Sequence, residues 1–428
     1  MSTTALIVEY NPFHNGHQYH INKSKEITES DNLIVIMSGN FSQRGNPTIL
    51  DKWARTEQAL SSGADLVLEL PLAFNIRSAE YFAHYSILSL EKTNIVDSIV
   101  FGSEAGNINI LTDIADSLIN ENDIFKNHLN KFLKEGFNFP TARYKALLKA
   151  QSTYPKLNKY NKNTLKKVLA SPNNILGIEY LKSLLKINSK INAQTIKRIG
   201  TEYHSNQINK KYASASLIRK IINSRPKRDA LKKVKNLMPK RAWEILKKEL
   251  KLGRFVKKSR EKDIFKKLID QLRRFNSKDL LEYKGLKNGL ENRIIKTARS
   301  NIKAENFIET LLAKHLTESK IKRKLLQIYF KLNKSKLNLL ENQGVSYLRI
   351  LGVKKGKENL ISQLKEESNL EIIINPSEKI RDINLNSSNP LELSLSYDLL
   401  ASDLYSLLYQ NAQFSKSQRD FYQKLIKV

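Results

Sequence analysis

A chain of 428 residues, 40% hydrophobic and 27% charged, is too long for one compact core and too apolar for wholesale disorder. Its 73 Lys and Arg against 42 Asp and Glu give a formal charge of +31, a field that attracts polyanions, nucleic acid first among them. The absence of cysteine excludes a disulfide scaffold and thiolate catalysis, and no apolar run approaches the roughly 18 residues of a membrane helix.

The charge is unevenly placed. Residues 1–104 hold 7 basic and 12 acidic side chains, net −5, whereas residues 225–300 hold 26 and 9, net +17. The acidic opening argues against a uniform codon bias toward lysine, so the polyanion-binding surface is expected after residue 224. Met1–Tyr10 lacks the basic start and long apolar stretch of a signal peptide, which leads to the expectation of a cytoplasmic protein without membrane contact. No obligate protein partner is expected.

Four short runs rich in β-branched residues, Ala5–Glu9, Leu33–Met37, Asp65–Leu70 and Ser98–Phe101, read as strands buried on both faces. Asp51–Ser61 and Ala79–Glu91 between them carry helical spacing. Strand alternating with helix implies right-handed crossovers and an α/β fold built on a Rossmann-like parallel sheet. Helix is expected from Glu104 to about Gln151, a loop over Pro155–Asn163, a further helix over Asn174–Lys186, a last strand over Gln194–Ile199 and a closing helix over Ala213–Asn223. Arg225-Pro226 then punctuates the chain, dividing it into residues 1–224, a nucleotide-binding domain with a helical insertion, and residues 225–428, a basic, mostly α-helical region. In that region Leu246–Leu252 and Ile321–Ile328 mix apolar residues with Lys and Arg at helical spacing. Gly344, Gly352 and Gly356 break the pattern, Leu370–Ile374 reads as a short strand and Leu391–Leu408 as a late helix.

The segment Ile7-Val8-Glu9-Tyr10-Asn11-Pro12-Phe13-His14-Asn15-Gly16-His17-Gln18-Tyr19-His20 places three of the seven histidines where a strand passes through a Pro-containing turn into a helix. A helix N-terminus favours anions through its free N–H groups and its dipole. His14 and His17, three apart on the first turn, add donors aimed at phosphate, and Gly16 leaves room for a nucleotide across the backbone. Histidines at this spacing also build zinc sites, but no Glu stands between the pair and no thiolate is available, so no metal ligand is assigned. Gly102 ends the fourth strand at the edge where open α/β sheets bind ligands. Asn173, after Pro172 at a helix start, reads as a nucleotide contact or as an N-cap. Arg198 closes the last strand as a brace for phosphate or ribose, or as a surface arginine. Ser214-Ala-Ser-Leu-Ile-Arg219 puts Ser216 and Arg219 at a helix N-terminus. Gln43, Arg44, Asp51, Lys52 and Arg55 follow the second strand and could face a second substrate, Arg44 and Lys52 foremost.

His14-Asn-Gly-His17 after a first strand resembles the HxGH signature of the HIGH-type nucleotidyltransferase superfamily. It is joined by Ser38-Gly-Asn-Phe-Ser-Gln-Arg-Gly-Asn-Pro47, Asp51-Lys-Trp-Ala-Arg55, Phe101-Gly-Ser-Glu104 and Pro172-Asn-Asn-Ile-Leu-Gly177. That string of blocks is similar to the bacterial tRNA(Met) cytidine acetate ligase family over most of the chain. The resemblance implies an enzyme that joins acetate to ATP as acetyl-adenylate, releases pyrophosphate, and passes the acetyl group to N4 of the wobble cytidine of elongator tRNA(Met). It implies an ATP site made of the Ile7–His20 segment, Gly102, Asn173 and Arg198, with His14, His17, Ser216 and Arg219 as catalytic groups. Mg2+ is expected to accompany ATP, and the basic helices after residue 224 to grip tRNA. Two rivals belong to other classes: an adenylyltransferase making a small dinucleotide cofactor, for which the basic second region is superfluous, and an RNA-binding protein that only senses ATP.

Overall fold

The computed structural model describes residues 1–199, 212–300, 303–313 and 316–428. The apolar runs of the first half form β1 (Thr3–Val8), β2 (Asn32–Ser38), β3 (Leu66–Leu70), β4 (Ser98–Ser103) and β5 (Asn192–Lys197), parallel in the order β5-β4-β1-β2-β3. The chain moves outward from β1 through β2 and β3, then crosses to the other side for β4 and β5. The C-terminal ends of β1 and β4 therefore face connections that run in opposite directions, which leaves a crevice between them.

Strand residues alternate between two layers. Ile34, Ile36, Leu66 and Leu68 meet α3 (Ala79–Glu91), the helix Ile108–Ile119 and α4 (Pro172–Lys186) on one face. Leu33, Val35, Met37 and Val67 meet α2 (Lys52–Leu60), α5 (Ala215–Ser224) and the helix Lys240–Leu252 on the other. Each fully buried Leu, Ile or Val contributes about 1.5–3 kcal/mol, so two-sided burial explains why these strands read as continuous apolar runs. The first-turn helix α1 (Asn15–Thr28) follows β1 directly. Pro155–Asn163, expected as a loop, holds the helical turn Pro155–Asn158 and the start of the helix Lys162–Ala170. Leu157 is fully buried there, and the Asn161 side chain caps Thr164 N at 2.8 Å.

The region after residue 224 is mostly helical, and Leu268, Leu272, Ile294, Phe307 and Leu325 form a core of their own, to which α6 (Glu318–Tyr329) contributes. The same region also returns to the sheet. β6 (Tyr347–Val353) pairs antiparallel with β3, and β7 (Glu371–Ile373) and β8 (Ile426–Lys427) pair parallel with β6, so the sheet draws on residues on both sides of Ser224 and is not purely parallel. β6 was masked in the sequence by Arg349 and by the glycines around it. Gly352 serves close packing: a Cβ there would lie 2.7 Å from Thr56 Cγ2 and 2.8 Å from Ile426 O. Late in the chain α7 (Pro390–Ser406) lays Leu393, Tyr397 and Tyr405 into the core.

Two cations of α2 are fully buried. Arg55 donates to Leu50 O at 3.1 Å, Glu9 O at 2.8 Å and Ser38 O at 2.9 Å, and also to Gly39 O, so one guanidinium gathers the ends of β1 and β2. Lys52 Nζ lies 2.7 Å from Glu69 and 2.5 Å from Asp420. Arg349 of β6 approaches Asp420 at 2.8 Å, as an ion pair whose angles fall short of a hydrogen bond. Lys52 is thus part of the frame and does not face a second substrate. Arg55→Met would leave four carbonyls without this donor, each costing about 1–3 kcal/mol if it stays dry. Urea unfolding should show a loss of about 3 kcal/mol or more, and a stability within about 0.5 kcal/mol of the parent would refute the clamp.

Candidate functional site

β1 ends and α1 begins within a few residues, and the turn between them is built from its own aromatic side chains. Tyr10, buried with φ +47°, packs its ring 4.7 Å from Phe13 and 4.8 Å from His17. His14 is the N-cap of α1: its Nδ1 accepts Gly16 N–H at 3.0 Å, and its own N–H donates to His17 Nδ1 at 3.3 Å. The two imidazoles stack 3.6 Å apart. They make a capping box in which rings replace the usual hydroxyl and carboxylate. Because each Nδ1 is an acceptor, each neutral ring carries its proton on Nε2 as a donor. Gly16 is required by this cap as much as by a ligand, since a Cβ would sit 2.9 Å from His14 Cε1.

Burial, then Arg198 and Arg219, push His14 down to about 3. Burial, then His14 and Arg198, hold His17 well below the usual range, and burial brings His20 down to about 4. At neutral pH the corner therefore offers neutral N–H donors to the cavity in an electropositive setting.

The corner opens into a cavity of about 330 Å³ between the ends of β1 and β4. Ile7, Val8, Glu9, His14, Gly16, His17, Tyr19, His20, Gly102, Asn173 and Arg198 line it. A second cavity of about 750 Å³ adjoins it, sharing Glu9, Arg44, Asn173, Arg198 and Ser214, and adds Asn11, Ser216 and Arg219. Tyr10, Pro12, Phe13, Asn15 and Gln18 line neither. Tyr10 and Phe13 belong to the core, Asn15 Nδ2 donates to Asn236 O at 2.9 Å, and Gln18 Nε2 donates to Ser62 O at 2.7 Å. Of the residues after the second strand, Gln43 and Arg44 reach the first cavity, whereas Asp51 accepts from Tyr409 and Arg419 at 2.7 Å each within the frame.

Three anchors hold the rim. Gly102 pairs with Ile196 across β4 and β5, and a Cβ on it would press on Arg198 Cγ at 3.3 Å, so this glycine makes room for the arginine as well as for a ligand. Ser214 caps α5 by accepting Leu217 N–H at 3.2 Å and shares a hydrogen bond with Ser216 at 2.8 Å. Arg219 Nη1 donates to Asn11 O at 2.5 Å, which ties α5 to the β1 turn. Neither Asn173 nor Asn174 caps α4, which starts at Pro172 after Ser171.

That cap is supplied by a residue the sequence did not single out. Glu104 accepts Asn174 N–H at 2.9 Å, Asn173 N–H at 3.3 Å and Asn173 Nδ2 at 2.6 Å. A carboxylate only accepts here, so the Asn173 NH2 is committed to Glu104, while the residue itself lines the cavity. The apolar wall was also missed: Phe101 and Tyr180 line the cavity, and Gly177 lets Phe101 lie against α4, where a Cβ would come within 2.3 Å of its ring. The signal for both lay in the quoted blocks, in Glu104 and Gly177 themselves.

Comparison with known proteins matches residues 1–420 to the family described as HIGH Nucleotidyl Transferase. Proteins named tRNA(Met) cytidine acetate ligase resemble the chain end to end: that of Halothermothrix orenii is 42% identical over 428 residues and that of Acetivibrio thermocellus 37% over 433, each covering 100% of both chains. The chain belongs to the tRNA(Met) cytidine acetate ligase family of HIGH nucleotidyl transferases. Within this family, the crystal structure of Thermotoga maritima TmcAL bound with alpha-thio ATP matches the fold with a TM-score of 0.89 and 34% identity over 100% of both chains. Among the described residues no helix is long and apolar enough to cross a membrane.

The three histidines bind protons more weakly in the fold than in the unfolded chain, where they titrate near ~6.5. Their contribution is therefore complete above that value and is lost as pH falls toward 4. Each buried imidazole should steepen the fall by up to about 1.4 kcal/mol per pH unit. Urea titrations between pH 7.5 and 5 should give a shallower fall for His20→Gln than for the parent, by about one such increment, and identical slopes would contradict the neutral state assigned here.

Proposed function

We propose that this protein is an ATP-dependent ligase that forms acetyl-adenylate and transfers its acetyl group to N4 of the wobble cytidine of elongator tRNA(Met). The observation that carries the reading is the pair of Nε2 donors of His14 and His17 at the crevice between β1 and β4, in a chain similar throughout to tRNA(Met) cytidine acetate ligases. Adenosine lies in the first cavity against Phe101 and Tyr180, with Asn173 and Arg198 at its edge. The phosphates run past the imidazoles toward Ser216 and Arg219 in the second.

In the first step an acetate oxygen attacks the α-phosphorus, the bond to the bridging oxygen breaks, and pyrophosphate leaves with that electron pair. Protein groups need only hold the reactants in line and absorb the charge that develops, which neutral N–H donors and a guanidinium do without reorganising. In the second step the cytidine amine attacks the acetyl carbon, AMP leaves, and the amine loses a proton. In between, Phe101 and Tyr180 shield the mixed anhydride from water on their side of the cavity. Mg2+ accompanying ATP would supply charge neutralisation on the phosphates. The residues fit a cation carried in by the nucleotide, with the Glu9 carboxylate bordering both cavities, and no group of three His, Asp or Glu side chains forms a cage among the described residues. Residues 1–224 carry the nucleotide chemistry in this reading and residues 225–428 grip RNA, in a cytoplasmic setting.

His17→Ala should lower acetate-dependent AMP formation by about 10²-fold or more while tRNA binding persists. Loss of both would end the division of labour proposed here. ATP joined to a mononucleotide instead of acetate would favour the cofactor enzyme, and binding without turnover the sensor.

A further inference from the structure

α6 carries Lys320, Lys322, Arg323 and Lys324 on its first two turns, where it packs on the loop after β2. Lys322 borders the second cavity and is fully engaged, with Asn46 at 2.6 Å, Glu318 at 2.8 Å and Glu261 at 3.3 Å. Arg323 and Lys324 face a different neighbourhood. Among the described residues neither makes an ion pair: the Lys324 ammonium donates to Lys284 O and, at 3.3 Å, to Gln327 Oε1, both neutral acceptors, and the charged groups that act on the two are Arg44, Arg77, Lys320 and Lys284. Two carboxylates stand near them and are already engaged: Glu341 is shared by Arg77 and Lys284 at 2.6 Å each, and Glu318 pairs with Lys322 and is also acted on by Arg44. Arg77 is only 7% exposed, and its Nη1 is buried with no hydrogen-bond partner.

Burial and then the neighbouring arginines bring Arg323 down to about 10, and burial with Arg77, Arg323, Lys320 and Lys284 brings Lys324 down to about 8. Half-buried cations that outnumber the acids beside them are unfavourable unless a further anion offsets them. ATP does not serve, because Arg77, Lys320, Arg323 and Lys324 line neither cavity; only Arg44 borders both. Lys320, Arg323 and Lys324 instead share one helix, which also carries Lys322 at the border of the second cavity. Lys320 and Lys324 stand about 6 Å apart along its axis, one turn, which suits successive charges on a chain more than a single small anion.

We propose that Arg44, Lys320, Arg323 and Lys324, with the buried Arg77 behind them adding to their field, form a phosphate-binding track for the backbone of the RNA substrate, entering at the mouth of the nucleotide site. The proposal rests on RNA being the second substrate. The track positions the strand so that an unpaired base reaches the cavity, as base edges are read best outside a duplex.

The test compares the parent, Arg323→Gln/Lys324→Gln, and Lys131→Gln/Lys134→Gln, two exposed lysines on the helix Asp123–Lys134 that remove the same charge elsewhere. Binding of a tRNA(Met) transcript is followed against KCl concentration, and acetate-dependent ATP–pyrophosphate exchange is measured without RNA. The first variant should bind about 10-fold more weakly and show a salt slope shallower by about 1.5 to 2, with exchange unchanged. The second should keep the parent's affinity and slope. Arg323→Lys, which retains charge with less disturbance, should bind close to the parent, so that a fold defect in the double variant does not hide the result. Parent-like slope and affinity in the double variant overturn the track, as does an equal loss in the lysine control or displacement of the RNA by micromolar inorganic pyrophosphate. A parent that carries out exchange but binds no transcript removes the RNA reading itself, and the track with it.

Discussion

One fully buried guanidinium sets the geometry on which the site depends. Arg55 binds the carbonyls of Glu9, Ser38, Gly39 and Leu50, so the last residues of β1 and β2 and the approach to α2 are held in one place. Strand ends otherwise present loose carbonyls, and a crevice built from loose ends could not aim two imidazoles. Because Glu9 stands between the Arg55 clamp and the His14 cap, rigidity passes directly from the sheet into the turn. The return of β6 reinforces this edge from the far side, through the buried network of Lys52, Glu69, Arg349 and Asp420.

The two halves of the molecule handle charge in opposite ways. Near the crevice, burial keeps the histidines neutral, the capping hydrogen bonds commit the protons of His14 and His17 to Nε2, and the nearby Arg198 and Arg219 keep the field positive. Anions are thus attracted without any group that must change protonation to receive them. Along α6 the cations instead act on one another, an arrangement that a polyanion would offset. The first arrangement suits a small substrate that must be held in register; the second suits a long one that must slide into place.

Periodicity and composition were sufficient for the elements whose environment is uniform. Strands buried on both faces read as apolar runs, and Asp51–Ser61 and Ala79–Glu91 showed their helices, because local pattern and final packing agree there. The same held for the histidine segment, where strand, turn and helix start adjoin in the chain. It failed where a residue's meaning comes from distant partners. Lys52 and Arg55 have the letters of surface charges, and only carbonyls and carboxylates brought from other strands turn them into the frame. Glu104 looked like the end of a motif until α4 arrived at its carboxylate. Tyr10, Phe13 and Gln18 sit in the same motif as His14 yet serve the core and the neighbouring loops.

What the sequence alone determined, then, was the α/β class, the strand-to-helix corner with its paired histidines, and the polarity between an acidic first stretch and a basic remainder, since each follows from residues close together or from bulk charge. Tertiary structure decided which side chains of that corner face the cavity and that β6, β7 and β8 return to complete the sheet. It also decided that lysines and arginines of similar appearance divide into buried clamps, cavity walls and a crowded cationic helix. The physical reason is that burial and pairing are properties of contacts between remote segments, and a single arginine carries no local mark of which of these it will meet.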